Sequence, residues 1–386
     1  MNRSFVKIQF MRKFSSLLFC VMMVLSLRVS AQTDSFLVDG VYRNFNVYLP
    51  AGYSAATAYP LVLNLHGYTS NAQQEELYTK MDASADANHY IVVYPNGIAN
   101  YWNSWGPAGT TYGANDVKFL SELIDTISAR YHVNPKRVYS CGMSNGGYMT
   151  YTLACNLADK LAAIASVSGT MSNYTYANCN VSRKIPVMHI HGTTDPVVPY
   201  ATGATNSIGV EQTVAFWRDT DACANISDTT ALPNTNTTDG STVQVIRYQN
   251  CPSSNEVLFY KITGGGHTWP DGFVDIPADG NTNRDISATD EIWNFFNRYT
   301  LDGPTGVSEI STDVRVAIAP NPAGDKLSIN TDQEVVNVQI YDLSGRKILS
   351  FDKSKTLDIE TLYAGMYVAV ISTQGEHQTT VKFVKQ

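Results

Sequence analysis

Residues Arg137 to Gly147 read Arg-Val-Tyr-Ser-Cys-Gly-Met-Ser-Asn-Gly-Gly, a short apolar run that breaks at once into Gly142-Met143-Ser144-Asn145-Gly146. Val138 and Tyr139 suit a buried strand, and Tyr148 to Ala154 keeps apolar residues at helical spacing without a proline. The turn between strand and helix is too sharp for side chains on its flanks, which is why glycine stands at both Gly142 and Gly146. The spacing therefore predicts a nucleophile elbow that pushes the Ser144 hydroxyl out of the backbone, on an α/β scaffold with a mostly parallel sheet flanked by helices.

A serine hydroxyl near its free pKa is a weak nucleophile, so this reading demands a histidine to take its proton and a carboxylate to hold the imidazole. In folds with such an elbow the three follow in the order Ser, Asp, His. Beyond Ser144 the chain has four histidines, His189, His191, His267 and His377. His377 lies in a tail of different texture. His189 and His191 belong to the strand-like Pro186 to Gly192, which leads into Thr193-Thr194-Asp195-Pro196 and places Asp195 just past a strand's carboxyl end. His267 follows Gly264-Gly265-Gly266, a triplet that lets a loop swing a side chain inward. Ser144 is thus the expected nucleophile, Asp195 the orienting carboxylate and His267 the general base. For the oxyanion, the expected donors are the backbone N–H of Asn145, next to the nucleophile, and that of Tyr68, with Thr69 as the alternative, after the apolar strand Leu61 to Leu65. His66 precedes the serine and is expected to brace this loop.

The chain has 386 residues, 44% hydrophobic and 16% charged, enough for one large core and a small second module. A formal charge of −7 argues against nucleic acid as a partner. Arg12 and Lys13 precede an apolar stretch, Leu17 to Leu27, and Val29-Ser30-Ala31 offers small residues for cleavage, so residues 1–31 read as a signal peptide. That stretch is too short to span a bilayer, and the mature chain is expected to hold no transmembrane segment. With Cys20 removed, five cysteines remain for an oxidising compartment, so at least one stays unpaired; Cys141, at the end of the elbow strand, is assigned as the free thiol. No Cys-x-x-Cys or Cys/His cluster suggests a metal, and no cofactor is expected.

Leu65-His66-Gly67, Asn115-Asp116-Val117, Gly142 to Gly147, His191-Gly192-Thr193-Thr194-Asp195-Pro196-Val197-Val198-Pro199-Tyr200 and Gly264-Gly265-Gly266-His267-Thr268-Trp269-Pro270 together resemble secreted esterases. The group joins poly(3-hydroxybutyrate) depolymerases to family 1 carbohydrate esterases of feruloyl and acetylxylan type. The resemblance runs from about residue 37 to residue 300. It implies an α/β-hydrolase acting on esters, with the triad on Ser144, Asp195 and His267, and disulfides pairing Cys155 with Cys179 and Cys223 with Cys251. The family continues its Trp-Pro pair with glycine; here Asp271 intervenes before Gly272, which puts the shape of that loop in question.

The expected esterase domain covers residues 32–301. Within it, 219–255 lapses into polar residues and reads as a surface loop, and Ala288 to Tyr299 reads as an amphipathic helix closing the domain. Asp302-Gly303-Pro304-Thr305-Gly306 opens a linker, 302–312. Residues 313–386 read as short strands parted by turns, a small β-sandwich. Ala319-Pro320-Asn321-Pro322, Ile340 to Arg346, Leu362 to Tyr367 and the final Val381 to Gln386 resemble the C-terminal sorting domain of type IX secretion. That resemblance implies the type IX machinery as a partner and a location outside the cell or on its surface.

Trp102, Trp105 and Trp269 fall in expected loops and are candidates for an apolar wall against a substrate; packing is the equal alternative. The overall expectation is a serine ester hydrolase acting on ester-decorated plant cell-wall polysaccharide, favoured because no extra domain for gripping a solid polyester is apparent. A polyhydroxybutyrate depolymerase is the alternative within the same chemistry. A non-catalytic surface-binding protein with a vestigial hydrolase fold is the alternative outside it.

Overall fold

Mostly apolar runs, buried at every position, are what parallel strands covered on both faces require, and Tyr59–Leu65 is one such run. The computed structural model describes residues 32–386 except 108–112, 226, 253–254, 305–316, 332–333, 343–346 and 374–376. The expected signal peptide, most of the linker and the Leu343 to Arg346 turn lie outside the described residues. The chain divides into two units, Met1–Thr305 and Gly306–Gln386.

The first unit is built on a ten-stranded sheet. Its strands are β1 Gln32–Val38, β2 Val41–Tyr48, β3 Tyr59–Leu65, β4 Ile91–Pro95, β5 Val133–Met143, β6 Ala163–Val167, β7 Val187–Gly192, β8 Ser227–Ala231, β9 Thr242–Tyr248 and β10 Val257–Thr263. They lie in the order β1-β2-β4-β3-β5-β6-β7-β10-β9-β8. From β4 to β10 neighbours run parallel, and the outer strands at both edges are antiparallel. The helices are α1 Ala72–Thr79, α2 Met81–Asn88, α3 Asp116–Arg130, α4 Asn145–Asn156, α5 Asn173–Asn178, α6 Val210–Thr220 and α7 Ala288–Phe296.

Alternation along β3 assigns the faces. Leu61, Leu63 and Leu65 join Phe119, Leu123, Leu153 and Trp217 in one core, under α3, α4 and α6. Val62 turns the other way, into a core with Met81, Tyr90, Tyr139, Ile292, Trp293 and Phe296, under α2 and α7. The closing helix expected at 288–299 ends at Phe296, and Tyr299–Thr300 pairs instead with Gly303–Pro304.

The segment 219–255 differs from its expectation as a surface loop: β8 and β9 form an antiparallel pair that extends the sheet beyond β10. All five residues of β8 are exposed, so no apolar alternation marks it in sequence. The disulfide Cys223–Cys251 joins the two ends of this excursion, and Cys155–Cys179 ties α4 to the end of α5. Both pairings are as the family resemblance implies. Cys141 is free and buried, and burial pushes its thiol well above the ordinary range.

The second unit has a three-stranded sheet (Ala317–Ala319, Lys326–Asn330, Thr356–Asp358) and a four-stranded one (Val335–Tyr341, Lys347–Asp352, Gly365–Thr373, His377–Lys385), all antiparallel. Leu327, Ile329 and Leu357 from the first sheet share one core with Val338, Ile340, Ala369, Ile371 and Phe383 from the second. This is the expected sandwich arrangement.

One buried ion pair fixes the loops above the sheet. Arg43 on β2 reaches Asp116 at the start of α3, 2.6 Å away, with both side chains almost fully buried. Its guanidinium lies over the Phe119 ring and donates to Asn96 O, while Asp116 Oδ2 accepts from Asn103 N–H. Burial raises the Asp116 pKa and Arg43 opposes the shift. Arg43→Ala strands a buried carboxylate, and we expect a loss of about 3–5 kcal/mol in denaturant unfolding at neutral pH. Without Arg43 the folded-state pKa of Asp116 rises further above its unfolded value. The penalty therefore applies above the free-carboxylate range and fades below it, a trend that unfolding curves over pH will check.

Candidate active site

β5 runs straight into the elbow. Ser144 sits at φ 53° and ψ −119°, a conformation that side chains rarely adopt, between β5 and the first turn of α4. The turn is held by Ser144 N–H donating to Val167 O and Tyr148 N–H donating to Ser144 O. Close approach of the backbones requires the flanking glycines: a Cβ on Gly146 would lie 1.9 Å from Leu65 O, and one on Gly142 would lie 2.6 Å from the same oxygen. β3 and β5 are parallel neighbours, so the loop after β3 passes directly over Ser144, where a Cβ on Gly67 would lie 3.5 Å from the Ser144 Cβ.

Asp195 and His267 come from loops beyond β7 and β10. Thr194 donates to Gly265 O through both its N–H and its hydroxyl, and His267 N–H donates to Asp279 O. Gly192 and Gly265 pack so closely that a Cβ on Gly192 would meet Gly265 O at 2.3 Å. His267 Nδ1 then donates to Asp195 Oδ2 at 2.8 Å, with the residues only 6% and 4% exposed. Asp195 Oδ1 accepts from the N–H groups of Val197 and Val198. His191 lies 3.4 Å from Asp195 but gives its Nε2–H to Val198 O. Burial lowers the His191 pKa to about 4 against the pull of Asp195, so its ring stays neutral at pH 7. His189 stays on β7, its Nδ1 bonded to the Tyr151 hydroxyl.

Of the expected oxyanion donors, Asn145 begins α4, where the first amides have no partner within the helix. The amide of the alternative, Thr69, is engaged, donating to Asn100 O. His66 braces its loop as expected: Nδ1–H donates to Gly67 O and Nε2 accepts from Gly97 N–H. Burial lowers its pKa to about 4.

The three tryptophans separate. Trp102 is 0% exposed, with its indole N–H donated to His66 O, and Trp269 is 1% exposed, donating to Thr289. Both are packing residues, a correction to their expected place on a substrate wall: the loops that carry them fold down over the sheet. Trp105 is half-buried, tilted against Tyr148, and does face the site. Asp271, which interrupts the family's Trp-Pro-Gly run, takes φ 58°, the left-handed region that glycine prefers and aspartate tolerates; it pairs with Lys80 and Arg284.

Two clefts meet at Ser144. One, about 550 Å³, is lined by His267, Tyr68, Glu75, Tyr78, Phe273 and Ile276. The other, about 530 Å³, is lined by Tyr68, Tyr101, Trp105, Asn145, Tyr148 and Val198. Sequence reasoning missed a clamp beside the second: the Asn145 side chain accepts from Trp102 N–H and donates to Trp102 O. Nothing in the local pattern signals it, because it depends on how the loop after β4 lies across the elbow. Among the described residues no cluster of His, Cys, Asp or Glu could hold a metal ion, and no helix is long and apolar enough to cross a membrane.

Residues 40–271 match the Esterase family, described as "Putative esterase", and residues 317–386 match the secretion system C-terminal sorting domain, which marks type IX export to the cell surface or the extracellular space. The chain is 29% identical over 271 residues to the bifunctional acetylxylan esterase/xylanase of Neocallimastix patriciarum, a match covering 70% of this chain and 35% of that protein. It is 30% identical over 244 residues to feruloyl esterase B of Piromyces equi, covering 60% and 43% respectively. To the poly(3-hydroxyalkanoate) depolymerase C of Paucimonas lemoignei it is 28% identical over 164 residues, covering 40% and 39%. The chain thus spans less than half the length of each of these relatives. With its model matched from before β2 to beyond the His267 loop, the chain belongs to the Esterase family.

Proposed function

We propose that this protein is a serine esterase that works through an acyl-enzyme. The observation that carries the reading is the buried His267–Asp195 pair, 2.8 Å apart, whose His267 lines the same cleft as a serine held on a strained elbow. With Nδ1 committed to Asp195, His267 Nε2 takes the Ser144 proton as the hydroxyl attacks the ester carbonyl. The oxyanion rests on the Asn145 and Tyr68 amides, His267 then protonates the departing alcohol, and water releases the acid by the same steps in reverse. Neutral His191 contributes no charge near Asp195, so the carboxylate's attraction is spent on the imidazolium of His267.

The substrate we favour is an ester carried on plant cell-wall polysaccharide, feruloyl or acetyl, cleaved after the type IX machinery has exported the chain. Two relatives named for such activities support it, and so does the second cleft, whose Tyr101, Trp105 and Tyr148 suit a flat acyl group. A polyester remains the competing substrate, supported by the depolymerase relative. An ordered Ser, Asp and His weigh against a purely binding role.

Ser144→Ala should lower kcat/KM for p-nitrophenyl acetate and methyl ferulate by roughly 10⁵-fold or more, and Asp195→Asn by about 10⁴-fold. Activity of Ser144→Ala within tenfold of the parent would overturn the reading. Trp105→Ala should cost about tenfold in kcat/KM on methyl ferulate and far less on p-nitrophenyl acetate, because the lost wall matters only to a large acyl group. Comparing the parent on methyl ferulate, acetylated xylan and short-chain polyhydroxybutyrate ranks the substrate classes, and a preference for the last would replace the polysaccharide assignment.

A further inference from the structure

The cleft that His267 lines contains an acid that nothing in the fold uses. Glu75 sits on α1, whose buried residues are Ala72, Glu75 and Thr79, the stripe where an amphipathic helix places apolar side chains. It is 2% exposed, its Oε1 has no hydrogen-bond partner, and it borders the cavity shared by Ser144 and His267. Neither neighbouring hydroxyl bonds the carboxyl: the Tyr78 oxygen accepts from Trp269 N–H, and Thr79 donates its hydroxyl to Glu75 O, the backbone. Burial raises the Glu75 pKa well above the carboxylate range. A neutral carboxyl offers one donor and one acceptor, both without use in the protein alone, and such an orphan costs stability.

The side of the serine decides what this group meets. His267 protonates the leaving oxygen, so the alcohol half of the ester occupies the cleft that His267 lines, and the acyl half takes the other, which His267 does not reach. Leu77, Phe273, Val274 and Ile276 give this cleft an apolar wall, with Thr69, Ser70, Gln74 and Asp279 also on its lining. Its volume is in the range of small-molecule sites, in which a few placed polar groups set specificity. We propose that Glu75 is a specificity-determining residue of this cleft, its carboxyl hydrogen-bonding a second hydroxyl of the leaving alcohol and so selecting esters of sugars over esters of simple alcohols. This rests on the esterase reading above and adds to it the residue that recognises the alcohol. A site built to satisfy a buried polar group rejects an analogue lacking the matching hydroxyl far more strongly than an apolar site does.

The test compares matched esters with one acyl group: feruloylated arabinose against methyl ferulate, and acetylated xylobiose against ethyl acetate. The readout is the ratio of kcat/KM, sugar ester over simple ester, in the parent, Glu75→Gln and Glu75→Leu. We expect the ratio to fall about tenfold in Glu75→Leu, the loss of one hydrogen bond to a buried group, and to stay within about threefold of the parent in Glu75→Gln, which keeps a donor and an acceptor. Thermal unfolding of Glu75→Leu should move up by a few degrees as the orphan is removed. An unchanged ratio in Glu75→Leu overturns the proposal, whatever happens to the absolute rates, and so does a Tm that falls together with both esters, which marks a structural role. A parent inactive on all four esters defeats the esterase reading itself, an outcome visible before any variant is made.

Discussion

The contact on which the site depends is backbone against backbone, at the point where Leu65 O presses into the turn between Gly142 and Gly146. Only hydrogen fits there. Because the approach is so close, the loop after β3 passes over Ser144 and the chain at Ser144 is forced to φ 53°. The strain is held by hydrogen bonds on either side and by two apolar cores that clamp β3 and β5 from above and below. Any side chain at Gly146 would push β3 and α4 apart.

A second close approach, Gly192 against Gly265, does for His267 what the first does for Ser144. Charge is then arranged by burial. Three histidines near the site, His66, His189 and His191, have their pKa values lowered by desolvation and stay neutral structural rings. Asp195 meets two backbone amides on one oxygen and His267 on the other. The carboxylate is thus satisfied without a competing cation, an arrangement that suits the proposed proton transfer to His267.

Much of this was legible from sequence where chemistry is local. The elbow, the order of Ser144, Asp195 and His267, the brace at His66 and the sandwich after residue 313 each show in a short run of residues, and the cysteine pairing followed from resemblance. What was not legible depends on loops folding over one another. Trp102 and Trp269 read as loop residues open equally to a substrate wall or to packing, because the segments around them carry no period, and tertiary packing buries both. β8 escaped because a strand exposed on both faces leaves no alternation. Nothing in Gln-Gln-Glu-Glu singles out Glu75; only its burial and the cavity beside it reveal an acid in a place suited to leucine.

The central claim is that Ser144 is a nucleophile because His267, and no other histidine, can take its proton. It is tested most directly by treating the exported chain with a fluorophosphonate and mapping the adduct by peptide mass spectrometry, in the parent and in His267→Ala. The account predicts stoichiometric modification on the peptide carrying Ser144 in the parent, with labelling slowed by orders of magnitude in the variant. A parent left unlabelled, or a Ser144 that reacts equally fast without His267, would contradict it.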